Sequence, residues 1–180
     1  KELAGKSYQD IAAIVLSYFF TNFTDEERKN MIAAAYNEET FRDERIVPLH
    51  SLDADVSISE LFHGRTLAFK DLALSLFPYL LTAAKKQERE DRDILILTAT
   101  SGDTGKAALE GFKDVDGTNI MVFYPSEGVS PMQKQQMQKQ EGENVKVSAI
   151  YGNFDDAQSF LKRVFTNEEV NAYANDKGVL

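Results

Sequence analysis

The chain has 180 residues, 43% of them hydrophobic, which allows one or two domains with a sizeable core. Its net charge of −9 argues against a nucleic-acid or membrane-surface protein, because such proteins carry basic patches. The absence of cysteine excludes disulfides, and two histidines are too few for a histidine-rich metal centre. No apolar run resembles a membrane span or a signal peptide, so we expect a soluble cytoplasmic protein.

Residues 1–50 are predicted to form a small N-terminal helical segment. Ser7 with Asp10, and Thr24 with Glu27, have the spacing of capping boxes at the starts of two helices. Apolar residues then recur at helical spacing in both stretches, and the aromatic ones favour core packing over a ligand site. These residues are Ile11, Ile14, Val15, Tyr18, Phe19, Met31, Ile32, Ala35 and Tyr36.

Residues 51–92 are predicted to form an extended run at 56–62, then a loop, then one helix from 71 to about 86. Lys70 lies at the joint between the loop and the helix. The positive end of the helix dipole disfavours an ammonium there, and the flanking Phe69 and Leu72 would desolvate it. Both effects favour the neutral amine, a nucleophile that forms Schiff bases. A surface lysine with its charged head in water is the alternative that this stretch leaves open.

Residues 93–180 are predicted to form a small α/β domain. The apolar run 94–97 is typical of a strand buried on both faces. Alternation of strands with helices predicts βαβ units and a parallel sheet. The further strands are expected at 119–124 and 145–150, and the helices at 106–113, 132–140, from Asn153 onward and at 168–174. A last apolar run begins at 178–180, and since an α/β domain rarely ends on an unpaired strand, we expect the chain to be a fragment.

A glycine-containing segment, residues 98–106 (TATSGDTGK), follows the first of these strands. Ligands bind at the carboxyl ends of strands in open α/β sheets, and the amides at a helix start favour an anion. The spacing does not match a nucleotide phosphate loop, which requires glycine where Thr100 stands and serine or threonine where Ala107 stands, and G-x-G-x-x-G is absent. An anion site and a purely structural turn both remain open.

Two long motifs follow one another along the chain: the first comprises 60–64 (ELFHG) and 66–71 (TLAFKD), and the second is 97–105 (LTATSGDTG). Together with shorter segments at 124–125, 130–133 (SPMQ) and 152–158, they resemble the threonine synthase family, pyridoxal-phosphate enzymes of the tryptophan-synthase-β-like fold (fold type II). The resemblance covers almost the whole chain and implies an incomplete α/β fold whose large C-terminal domain is missing.

The resemblance implies conversion of O-phospho-L-homoserine and water to L-threonine and phosphate by γ-elimination and β-addition of water, a carbon–oxygen lyase reaction. Lys70 would hold pyridoxal 5′-phosphate as a Schiff base and then act as general base; no metal is implied. Ser101 and Thr104 would bind the substrate carboxylate, and Asp103 would lie near the cofactor's 3′-oxygen. The implied cofactor-binding residues are Lys70, Ser101, Gly102, Asp103, Thr104 and Gly105.

Three departures from the family pattern limit which of the family's residue roles can be assigned to this chain. Arg65 stands where the family has proline, so the loop before Lys70 could be looser, or the arginine could reach an anion. Gly152-Asn153-Phe154 looks like the family's phosphate-binding loop, but Asp155 replaces the required glycine, so we interpret it as a helix cap. The phosphate loop and the partner of the pyridine nitrogen are expected outside this chain, which alone should bind the cofactor weakly and be inactive.

Two other functions remain compatible with the sequence. One is another fold-type-II lyase or dehydratase, such as a threonine-synthase-like phospholyase. The other is a non-catalytic α/β binding module in which Lys70 is only a surface residue. The sequence does not indicate the oligomeric state.

Overall fold

The computed structural model describes residues 3–180, and the chain divides into two compact units, the first ending at Leu80 and the second covering Leu81–Leu180. The predicted division at residues 50 and 92 stays a prediction. The first unit contains α1 (Tyr8–Ser17), α2 (Asp25–Ala35), β1 (Leu49–Ser51), β2 (Ser57–Ser59) and α3 (Asp71–Leu74), and α4 (Phe77–Glu88) crosses the boundary. The second contains β3 (Ile94–Ala99), α5 (Asp103–Phe112), β4 (Thr118–Pro125), α6 (Pro131–Gln138), β5 (Val145–Ile150), α7 (Phe154–Thr166) and α8 (Glu168–Asp176).

Both predicted capping boxes start helices of the first unit. The Asp10 amide donates to Ser7 Oγ at 3.1 Å, and the Glu27 amide donates to Thr24 Oγ1 at 3.2 Å. The core of this unit is apolar and aromatic, and it includes Phe23, Met31, Ile32, Ala35, Tyr36, Phe41 and Ile46. Packing of the whole aromatic stripe of α1 is a wrong prediction, because α1 ends at Ser17 and leaves Tyr18 and Phe19 76% and 75% exposed.

The extended run at 56–62 contributes only a short strand. β1 and β2 pair as an antiparallel hairpin in which His50 lies opposite Ile58, and every residue of both strands is exposed. The single helix expected from 71 to about 86 is also wrong, since α3 ends at Leu74 and α4 begins at Phe77. Pro78 has no amide to donate and its ring would collide with the carbonyl of Leu74, so the helix cannot run through this point.

The second unit is built on the predicted parallel sheet, with strand order β3-β4-β5. Ile96 lies opposite Ile120, and Val122 lies opposite Val147, so the three strands run in register. The central strand β4 is mostly buried, whereas every residue of β3 is only half-buried. Burial of β3 on both faces is therefore a wrong prediction, because every one of its residues stays partly exposed to solvent.

The last apolar residues of the chain pair with the open side of β3. Val179 forms a parallel bridge with Asp93, and the Leu95 amide donates to the Leu180 carbonyl at 2.9 Å. The expectation of an unpaired strand start is therefore wrong. Within residues 3–180, no helix combines the length and the apolar character needed to cross a bilayer.

Candidate active site

Lys70 immediately precedes α3, as the sequence predicted for the joint between loop and helix. Its backbone is already helical, with φ −60° and ψ −24°, and its side chain is half-buried. Its Nζ lies 4.8 Å from the centroid of the Phe69 ring, within the range of a cation–π contact. Among the residues that the structure describes, none forms an ion pair with Lys70, so no carboxylate competes for this amine.

The loop before Lys70 is closed by the residue after it. Asp71 is 4% exposed, and its carboxylate accepts hydrogen bonds from the Thr66 amide at 2.8 Å and the Thr66 hydroxyl at 2.6 Å. Gly64 packs directly against Asp71, since a Cβ at Gly64 would lie 2.4 Å from Asp71 Cβ. Leu67 adopts a left-handed backbone, with φ 63°, inside this loop. Any side chain at position 64, even that of alanine, would therefore force the loop open.

A hydrogen bond also connects α3 to the N-terminal helices. The buried Tyr36 hydroxyl donates to the Leu72 carbonyl at 2.7 Å, and Tyr8 packs edge-on against the Tyr36 ring at 5.0 Å. Burial raises the pKa of both phenols, so the Tyr36 hydroxyl keeps its proton and remains a donor. The sequence identified Tyr36 only as a core aromatic, since nothing in its spacing shows where its hydroxyl points.

Both histidines of the chain contact one carboxylate near this loop. The Glu60 carboxylate lies 2.6 Å from His63 Nε2 and 3.3 Å from His50 Nε2. These contacts connect β1 with the segment leading to Lys70. The His63 carbonyl also accepts from the Arg42 amide at 2.9 Å. In the described part of the chain, no cluster of His, Asp and Glu has an arrangement that could hold a metal ion.

The second candidate segment lies at the carboxyl end of β3, where Thr100 shapes its backbone. Thr100 is 2% exposed, and its hydroxyl accepts from the amides of Gly102 at 3.0 Å and Gly105 at 2.9 Å. A Cβ at Gly105 would lie 2.4 Å from Thr100 Cγ2. Thr100 is a site residue that the sequence did not predict; its local signal is a hydroxyl two residues before one glycine and five before another.

Helix α5 begins at Asp103, three residues earlier than predicted, so the loop residues form its first turn. The amides of Asp103 and Thr104 have no partner inside the helix, because the first amides of any helix lack one. These amides and the positive end of the helix dipole favour a bound anion. At this helix start, Ser101 and Asp103 are exposed and Thr104 is half-buried.

Helix α6 contributes a side chain to the same site. Gln133 donates from Nε2 to Asp103 Oδ1 at 2.7 Å, and its Oε1 accepts from the Ser130 hydroxyl at 3.0 Å. The Gln133 amide also lies over Gly102, where a Cβ would be 2.4 Å from Gln133 Cδ. The backbone of Gly102 has φ 155°, which favours glycine. The segment 130–133 resembles the family in sequence, and in the structure its Gln133 orients Asp103.

The predicted site residues thus fall in two places. Ser101, Gly102, Asp103, Thr104 and Gly105 come together at the start of α5 in the second unit, whereas Lys70 belongs to the first unit. The interpretation of 152–156 as a helix cap is confirmed, because the Asn153 side chain accepts from the Asp156 amide at 3.0 Å at the start of α7.

Comparison with known proteins gives a consistent result, although no family model matches the chain. The chain is 36% identical to the threonine synthase of Eremothecium gossypii over 94% of its length, which covers 35% of that relative. It is 33% identical to human Threonine synthase-like 1, over 96% of this chain and 24% of that protein. The chain therefore spans about a third or less of the length of these curated relatives.

Among solved structures, the chain is similar to a pyridoxal-phosphate-bound threonine synthase from Brucella melitensis. The TM-score is 0.84 at 38% identity, and the match covers 99% of this chain and 37% of that one. This likeness confirms the predicted fold, the α/β fold of the fold-type-II (tryptophan-synthase-β-like) class.

Proposed function

We propose that the chain belongs to the threonine synthase family and that the protein carrying it is a pyridoxal-phosphate-dependent lyase that converts O-phospho-L-homoserine and water to L-threonine and phosphate. One observation carries this proposal: the fold matches a threonine synthase with bound pyridoxal phosphate over 99% of the chain, with a TM-score of 0.84. The cytoplasmic location stays a prediction.

The residues of this chain suit the cofactor's chemistry. The aldehyde of pyridoxal phosphate reacts with a primary amine, and Lys70 offers a half-buried one that contacts the Phe69 ring. When bound, the cofactor supplies an electron sink for negative charge that develops on substrate carbon atoms. Lys70 would hold the cofactor through Nζ and, once released, carry protons between substrate carbons at the same atom.

The start of α5 would bind and orient the amino-acid part of the substrate. The hydroxyls of Ser101 and Thr104, with the first amides of α5, are suited to a carboxylate. Asp103 would face the cofactor's 3′-oxygen. Because Gln133 donates to Asp103 Oδ1, a proton shared with the 3′-oxygen would lie on Asp103 Oδ2.

The role of Asp103 can be tested spectroscopically. We expect Asp103→Asn to change the pH dependence of the bound cofactor's visible spectrum, since the amide cannot share a proton as a carboxylate does. Asp155→Asn, which changes an exposed acid in the first turn of α7, is the matched control and should leave the spectrum unaltered. An unchanged pH dependence in Asp103→Asn would exclude this role.

The assignment of Lys70 has a direct chemical test. The intact natural protein is loaded with pyridoxal phosphate, reduced with borohydride and digested, and the labelled peptide is identified. We expect the label on Lys70, and we expect Lys70→Ala to lose it while Lys86→Ala, a change at an exposed lysine of α4, keeps it. A label on a different lysine would contradict the proposal, and no label at all would favour a non-catalytic binding module.

A second candidate, another phosphate-eliminating lyase, is favoured by the likeness to a protein named only as threonine synthase-like. The two candidates differ in substrate. Incubation of the intact natural protein with O-phosphohomoserine should yield both phosphate and threonine. Phosphate release from O-phosphothreonine, with no threonine formed from O-phosphohomoserine, would favour the second candidate.

A further inference from the structure

An acid is buried immediately after Lys70. Asp71 is 4% exposed, and burying a carboxylate is costly unless donors compensate for the lost water. Two hydrogen bonds from Thr66, at 2.8 Å and 2.6 Å, reach its two oxygens separately. Buried charges of this kind often cost more than they contribute to stability, so the arrangement calls for a reason other than stability.

The direction of these hydrogen bonds supplies a reason. Asp71 is the first residue of α3, yet its carboxylate reaches backward along the chain to Thr66 and does not cap its own helix. Residues 67–70 are therefore enclosed between two groups that are bonded together. Gly64 has no space for a side chain beside Asp71, so the start of the loop also packs against the same carboxylate.

The enclosed segment contains a backbone conformation that would relax if released. Leu67 has φ 63°, a left-handed conformation that residues other than glycine adopt at an energetic cost. The bond between Asp71 and Thr66 restrains Leu67 together with the hydrogen bond from the Leu67 amide to the Gly64 carbonyl at 3.2 Å. Loss of the bond to Asp71 would leave Leu67 freer to relax, and we expect that change to alter the direction of the Lys70 side chain, three residues further on.

We propose that Asp71 is a positioning residue, which fixes the direction of the Lys70 amine by holding Thr66. This inference rests on the proposed function, because it concerns the amine that would react with the pyridoxal aldehyde. Asp71 exchanges no proton with substrate in this role and acts only through the loop.

The test measures how fast Lys70 reacts with added pyridoxal phosphate in the intact natural protein. Samples are quenched with borohydride at successive times, and labelling is quantified by peptide mass. Asp71→Asn replaces one acceptor oxygen by a donor facing Thr66, and a displaced reacting group slows a reaction about 10- to 100-fold. Thr66→Val should cause a smaller slowing, since its amide still donates, and Thr66→Ser, which keeps both donors, should react at the wild-type rate.

A second readout needs no cofactor. In the cofactor-free protein, we expect amide hydrogen exchange in residues 64–72 to accelerate in Asp71→Asn and Thr66→Val and not in Thr66→Ser. Asn144→Ala in the second unit removes an unrelated set of hydrogen bonds and controls for general loss of stability. It should leave both the labelling rate and the exchange of residues 64–72 unchanged. If Asp71→Asn fails to fold, Thr66→Val and Thr66→Ser provide the comparison.

The outcomes separate this inference from the proposed function. Wild-type label on another lysine would contradict the proposed function itself. Wild-type label on Lys70, with Asp71→Asn and Thr66→Val reacting at the wild-type rate, would overturn only the role of Asp71. Equal slowing in Asn144→Ala would also overturn it, because the effect would then reflect stability and not position.

Discussion

At the scale of single residues, the start of α5 depends on one buried hydroxyl. Thr100 occupies the two amides, of Gly102 and Gly105, that would otherwise be buried without an acceptor. It thereby leaves the amides of Asp103 and Thr104 as the first-turn amides available to a ligand. Gly105 permits this only because it has no Cβ, which would collide with Thr100 Cγ2. The conformation of the candidate anion site is therefore set by side chains that would not touch the anion.

We expect Thr100→Val to lower the free energy of unfolding by about 2–4 kcal/mol, since it leaves two buried amides without an acceptor. Urea denaturation measures this change. Thr100→Ser keeps the hydroxyl and is the control, with an expected loss of about 1 kcal/mol for the missing methyl group. Equal losses in the two variants would mean that the hydroxyl does not support the loop.

At the scale of elements, a charged turn joins α4 to β3. Arg92 donates to Glu90 from Nε at 2.8 Å and from its amide at 2.9 Å, and it also bonds Asn175 of α8 at 2.6 Å. The Arg92 side chain first, and its backbone amide second, lower the pKa of Glu90 from 4.5 to about 2. A carboxyl with a lowered pKa in the folded state stabilises the fold above its ordinary pKa, and this stabilisation is lost as the pH falls through the lowered value.

We therefore expect Glu90→Gln to have a lower Tm than the wild type at neutral pH, with the difference vanishing as the pH falls from 4.5 to about 2. The Tm difference should be small and should narrow at high salt, because the pair is only half-buried and solvent screens it. Thermal melts across this pH range provide the measurement. A Tm difference that persists at the acid end would show that the charge of Glu90 is not its source.

At the scale of the whole molecule, one asparagine connects three elements of the second unit. Asn144 donates from Nδ2 to the carbonyls of Phe112 at 2.8 Å and Thr118 at 3.0 Å, and its Oδ1 accepts from the Asp114 amide at 2.8 Å. These bonds join the end of α5 to the starts of β4 and β5. They lie at the end of the sheet opposite the candidate anion site, since the loop 101–105 follows the carboxyl end of β3.

We expect Asn144→Ala to lower the free energy of unfolding by about 2–4 kcal/mol, because several hydrogen bonds worth about 0.5–1.5 kcal/mol each are lost. Asn144→Asp keeps the acceptor for the Asp114 amide and loses both donated bonds. Urea denaturation of both variants should show whether the donors contribute most. An Asn144→Ala variant as stable as the wild type would contradict this role.

The length of the chain relative to its relatives leads to a prediction about cofactor binding. The chain covers 35% of the Eremothecium gossypii threonine synthase, and the family resemblance assigns the phosphate loop to sequence outside it. We expect the 180-residue chain by itself to give no stable visible absorption band with pyridoxal phosphate. The intact natural protein is the positive control. A stable band from the chain alone would show that the residues at Lys70 and at the start of α5 suffice for binding.

Much of the fold could be predicted because its determinants are local. The caps at Ser7, Thr24 and Asn153 depend on a partner three residues away, and the strands of the second unit appear as apolar runs. The errors arose where one local signal was outweighed by another, as when Pro78 interrupted an otherwise helical pattern. The candidate site residues were predicted from motif likeness, and their roles stay predictions.

Sequence patterns alone predict the order of most elements, the caps at Ser7, Thr24 and Asn153, the parallel sheet and two segments that could carry chemistry. How those segments are held follows from tertiary packing. Thr66 with Asp71, Gln133 with Asp103 and Tyr36 with Leu72 are pairs 5, 30 and 36 residues apart. A hydrogen bond depends on distance and angle within a few tenths of an ångström and some tens of degrees. Spacing along the chain sets those quantities within one helical turn, whereas between elements they follow from how the elements pack.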